Sequence, residues 1–222
     1  MKILKVMSFV AMLAPIGAAA NAATVDANYQ GVSGEALTIY NGVKSNPGNQ
    51  RVIAGEFSFS STALGNFAAY CVDLATSLIT NSTTTVNYTV KENMFSANTI
   101  SNVQRLFDAN YAEVDTKAER ASFQLALWEM LYDTDLTDNN FAYVSGGSTG
   151  VWDRADSYLA AAGDYTGRKL WNLTFLGDAD PRSQGVVTMT EVAPVPLPAA
   201  GLLLLGGLGG LGVIARRRKS AA

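Results

Sequence analysis

The chain has 222 residues, with 19 acidic against 16 basic side chains, one cysteine and no histidine. The length fits one domain with appendages. The missing histidine excludes Ser-His-Asp hydrolysis, a Cys-His nucleophile and most zinc sites, and a single cysteine excludes an internal disulfide.

In chain order, residues 1–22 read as a secretory signal peptide. Lys2 and Lys5 form the positive start, Val6 to Ile16 the apolar run, and Ala20-Asn21-Ala22 the small-residue cleavage site. The domain proper is expected over 23–193. Without the two lysines of the leader and the four basic residues of the tail, ten basic residues face nineteen acidic ones, a net charge of −9. That balance argues against a nucleic-acid partner, whose phosphates need a basic face.

Within the domain, strands are expected first. Ala36 to Tyr40 alternates modestly, Asn46-Pro47-Gly48-Asn49 is a turn, and Arg51 to Ser60 is a strand with aromatics. Ser61 to Asn66 is a turn, Phe67 to Leu74 the next strand, and Thr83 to Glu92 a Thr-rich, half-exposed strand. Helical spacing then takes over. Ile100, Val103, Leu106, Phe107 and Tyr111 predict a helix capped at Ser96 or Asn98. A second helix is predicted over Lys117 to Tyr132. A third is predicted over Val151 to Ala162, capped by Ser148 or Thr149 and ended by Gly163. Lys169 to Leu176 and Gly185 to Val192 close the domain as strands. The glycines Gly146, Gly147 and Gly150 follow no clear strand and make no phosphate loop. Asp133 to Asn140 and Asp178 to Pro181 read as turns rather than metal loops. The fold class expected is α+β: an antiparallel β sandwich or barrel-like core with a helical insertion.

From Leu197 to Ala215 the tail is uncharged and apolar, and at about 1.5 Å per residue it spans roughly 28 Å as one transmembrane helix. Arg216, Arg217, Arg218 and Lys219 follow as a basic stop that stays cytoplasmic, with the domain on the far side. Val195, Pro196, Leu197, Pro198 and Ala199 precede the helix. This order of parts over 194–222 resembles the VPLPA-type C-terminal sorting signal, a variant of the PEP-CTERM signals of Gram-negative bacteria. The resemblance implies an exosortase-like processing enzyme as a partner, beside signal peptidase and the membrane itself. A plain permanent anchor is the alternative.

Two residues inside the domain call for explanation. Cys71 is an unpaired cysteine in a chain built for export; it is either a small buried apolar residue or a reactive one. Gln124 falls within the apolar stripe of the second helix, formed by Ala121, Leu125, Trp128, Leu131 and Tyr132. A buried amide must find hydrogen bonds, and the bland account is a Gln bonded to a neighbouring strand's backbone. Together the two residues suggest an internal thioester, formed when the sulfur attacks the Gln side-chain carbonyl and expels ammonia. Such a bond needs proximity and a dry pocket, with no metal or cofactor. Tyr70, Phe123 and Trp128 are the expected lining.

The stretches Tyr70-Cys71-Val72-Asp73 and Phe123-Gln124-Leu125-Ala126-Leu127-Trp128 resemble the Cys–Gln, or TQxA-type, thioester domain of bacterial surface adhesins. Phe123 departs from the Thr of that motif. The resemblance implies an envelope or surface protein whose Cys71–Gln124 thioester attaches to amines on a partner protein or polymer. It implies a single-use tether and not a turnover enzyme, with Asp73 or Glu129 as proton acceptor. The alternative is a non-covalent matrix protein with Cys71 inert in its core.

Overall fold

The computed structural model describes residues 23–132, 140–178 and 183–193. The expected signal peptide with its cleavage site, the expected sorting motif, the 197–215 segment and the basic stop all lie outside the described residues. So do most of the turns at 133–140 and 178–181. Among the described residues, no helix is long and apolar enough to cross a membrane.

Seven strands and three helices make an α+β fold. They are β1 (Thr24–Asn41), β2 (Gly48–Ser61), β3 (Gly65–Cys71), β4 (Thr85–Val90), α1 (Ala97–Asn110), α2 (Lys117–Tyr132), β5 (Phe141–Gly146), α3 (Val151–Asp164), β6 (Trp171–Asp178) and β7 (Val186–Glu191). The strands run β2-β3-β7-β6-β4-β1-β5 and β1 also pairs with β2, so six of them close into a ring. Every pairing is antiparallel. This is the barrel-like form of the two cores expected from the sequence.

β1 makes the closure possible by its length. Its first residues pair with β4, its last with β5, and its other edge runs along β2. At the middle of that long hairpin, Gly34 lies against Gly55. A Cβ on either would drive into the other strand's backbone, Ala54 C=O from Gly34 and Ser33 C=O from Gly55, so the close crossing requires glycine at both positions.

Alternation sorts the side chains. Cross-strand partners share a face, so Ala69 with Phe57, Cys71 with Val186, and Tyr29 with Phe59 and Phe67 point one way. Tyr70 and Val187 point the other. The first face lines the inside of the ring, where Tyr29, Phe57, Phe59, Phe67 and Tyr88 meet ring to ring. The second receives the helices: Tyr70 packs on Phe107 of α1 and Phe123 of α2.

Ser96 caps α1, its side chain accepting from the Thr99 N–H. α2 has no solvent face in its middle, since Ala121 to Glu129 are all buried. The structure departs from the expected elements at two turns, where Gly48 and Asn49 already open β2 and Gly65 and Asn66 open β3, at the end of β3, which stops at Cys71 short of Leu74, and at β1, β5 and α3. β1 begins far earlier than Ala36. β5 is an additional strand, with Gly146 its last residue and Gly147 and Gly150 just beyond it. α3 starts at Gly150 in the left-handed region (φ 85°) with no side-chain cap, rather than at Ser148 or Thr149.

Candidate functional site

The site forms where β3 ends. β2 pairs with β3 only as far as Ala69, which leaves the backbone of Cys71 without a strand on that side. α2 fills the gap. Gln124 Oε1 accepts the Cys71 backbone N–H at 2.9 Å and Gln124 Nε2 donates to the Cys71 carbonyl at 2.9 Å. The carboxamide thus stands in for a missing strand residue and lies flat against the residue that bears the thiol. Both residues are 0% exposed.

Three more side chains on the same side of α2 continue this contact at four-residue intervals. Arg120, one turn before Gln124, pairs with Glu56 of β2 at 3.3 Å. Trp128, one turn after, lies beside the Cys71 sulfur. Tyr132 donates its hydroxyl proton to Val72 C=O at 2.7 Å and accepts from Leu74 N–H at 3.0 Å. One helix face therefore grips the strand end and the loop beyond it at successive turns.

The thiol itself donates to the Asp73 backbone carbonyl at 3.4 Å. Burial pushes its pKa from 9.0 up to about 12, against the smaller opposing pull of the Trp128 indole and the Asp73 backbone. The group is a neutral thiol at physiological pH. The Trp128 Nε1–H is buried without a partner of full hydrogen-bond geometry.

The expected lining residues separate. Trp128 is at the sulfur. Tyr70 and Phe123 are fully buried and 5.0 Å apart between ring centres, but Tyr70 lies on the opposite face of β3 from Cys71. They form the floor under α1 and α2, with Phe107 and Tyr111. The Tyr70 hydroxyl is pushed well above its usual pKa by burial and by Glu56.

The expected proton acceptors are placed differently from each other. Asp73 Oδ1 accepts the backbone N–H groups of Ala75 and Thr76 and closes a turn. Glu129 is buried, about 140° around α2 from Gln124. Glu56, Arg120 and Tyr132 belong to the site without a motif to announce them. The spacing of Arg120 and Tyr132, each a multiple of four residues from Gln124, is the signal that could have found two of the three. Among the described residues no three His, Cys, Asp or Glu side chains are grouped to share a metal ion.

Two clefts flank the strand end. One, of about 420 Å³, is walled by Trp128, Phe57, Leu74 and Gln184 among others. The other, of about 320 Å³, is walled by Val72, Asp73, Met94 and Tyr132.

No protein-family model matches the chain, and no curated protein matches its sequence. Solved structures do resemble it. The N-terminal thioester domain of a surface protein from Clostridium perfringens matches with 12% identity and a TM-score of 0.41, over 62% of this chain and 89% of that one. The N-terminal domain of the Streptococcus pyogenes pilus tip adhesin Cpa matches with 13% identity and a TM-score of 0.40, over 75% and 99%. The N-terminal thioester domain of the fibronectin-binding protein SfbI from Streptococcus pyogenes matches with 9% identity and a TM-score of 0.40, over 75% and 98%.

Proposed function

We propose that this protein is an exported, surface-held covalent tether whose reactive group is a thioester between Cys71 and Gln124. The observation that carries the reading is the double hydrogen bond of the Gln124 carboxamide to the Cys71 backbone inside a dry core. The signal peptide and the sorting tail supply the address.

The chemistry balances without a cofactor. A bond forms between Cys71 Sγ and Gln124 Cδ, the Cδ–Nε2 bond breaks, and the thiol proton leaves with Nε2 as ammonia. The Cys71 N–H on Oε1 polarises the carbonyl and stabilises the oxyanion that develops there, in the manner of an oxyanion hole. A thiol held neutral by burial makes this a slow, one-time maturation in which proximity replaces a strong nucleophile. In the second step a partner's amine bonds to Cδ, the Cδ–Sγ bond breaks, and the amine's proton passes to sulfur. The product is an amide through residue 124 and a regenerated thiol. The tether is consumed in use, so the domain does not turn over.

One feature favours the non-covalent reading. Gln124 satisfies two backbone groups as it stands, which is all a structural glutamine needs to do. Methylamine separates the two. A thioester yields a methylamide that maps to residue 124 and a newly titratable thiol, and Cys71→Ala abolishes both while the domain stays folded. A structural Gln124 yields neither product in the native protein.

A further inference from the structure

The larger cleft breaks the charge pattern of the molecule. The domain is acidic overall, yet among the described residues no carboxylate lines this cleft, and Lys44 and Arg51 both stand on its wall. Among the described residues the one salt bridge is Arg120–Glu56, so neither cation is neutralised by an ion pair there. Ile53, 54% exposed, lines the same cleft. So does Trp128, the side chain that also lies on the Cys71 sulfur. Low-dielectric walls focus the field of two such charges.

We propose that this cleft is the docking surface for an acidic segment of a partner protein. Carboxylates of the segment pair with Lys44 and Arg51, an apolar side chain covers Ile53, and a neighbouring lysine is carried to the Trp128 wall. The proposal rests on the thioester reading only for the covalent step after docking.

The test uses two peptides of equal length with one lysine each, flanked by aspartates in one and by glutamines in the other. With the full-length Cys71→Ala chain nothing covalent forms, and fluorescence anisotropy reads docking alone. The aspartate peptide is expected to bind about tenfold more tightly at low salt, with the advantage collapsing at high salt. The advantage is also lost in the Lys44→Gln/Arg51→Gln variant. It survives in Lys117→Gln/Lys169→Gln, which removes the same charge away from the cleft. In the native chain the aspartate peptide forms its adduct faster by a similar factor. Equal binding of the two peptides, or a preference that outlives Lys44→Gln/Arg51→Gln, overturns the proposal. So does capture of phosphatidylserine vesicles through these two residues with no binding of the aspartate peptide. Failure of methylamine to add counts against the thioester alone, because the anisotropy measurement decides the docking surface by itself.

Discussion

On the proposed chemistry, the protonation of Cys71 reports its covalent state. As the free thiol, the state that opening of the proposed thioester would give, Cys71 is held protonated by burial up to about 12 against an ordinary 9.0. The unfolded chain loses that proton first. The stability carried by the neutral thiol is therefore full below pH 9 and is lost as pH rises from 9 toward 12, at up to about 1.4 kcal/mol per pH unit. Urea unfolding of the methylamine-treated protein should show this extra slope relative to Cys71→Ala. The acylated protein, which has no thiol to titrate, should lack it. Trp128→Phe keeps most of the packing but removes the indole N–H whose pull opposes burial. The opened thiol should then resist alkylation to a still higher pH, read as the midpoint of its reaction with iodoacetamide.

α2 is the element that brings the site together, and its grip on the sheet begins at Arg120. That side chain holds Glu56 of β2, and Glu56 in turn accepts from the Tyr111 hydroxyl at 2.8 Å. Both charged side chains are mostly covered, at 22% and 15% exposed. Arg120→Ala strands a partly buried carboxylate and should cost about 1–3 kcal/mol in urea unfolding. By loosening the turn before Gln124 it should also slow the appearance of the ammonia-deficient mass. A variant that matures at the native rate would detach the ion pair from the site. Ser96→Ala, which removes the cap of α1 far from Cys71, should cost about 1 kcal/mol and leave maturation unchanged. The limits of α2 are legible from its periodicity, and Ser96 is among the expected caps. The apolar stripe is a poorer guide, because a helix buried on all sides has no polar face to contrast with an apolar one. Adjacency in sequence puts Tyr70 beside Cys71, whereas strand alternation sends neighbours to opposite faces.

Across the whole molecule, the ring of strands depends on the Gly34–Gly55 crossing. Gly34→Val or Gly55→Val should prevent the long β1–β2 hairpin from closing and lose the cooperative unfolding transition, checked by near-UV circular dichroism and urea titration. The first half of β1 is not legible in the sequence, because Gln30 to Glu35 holds two glycines and no alternation. β5 is hidden because it is short and ends in glycines, and it exists only because the end of β1 offers it an edge. That Gln124 meets Cys71 is legible for a simpler reason: a buried amide needs hydrogen-bond partners, and the Cys71 backbone supplies both of them. The direct measurement is the intact mass of freshly folded protein together with a peptide map across residues 71 and 124. The account predicts a mass lower than the sequence by one ammonia and no titratable thiol until methylamine is added. Hydrolysis would leave Glu at 124, so a native molecule that carries both an unmodified Gln124 and a titratable Cys71 thiol would contradict it.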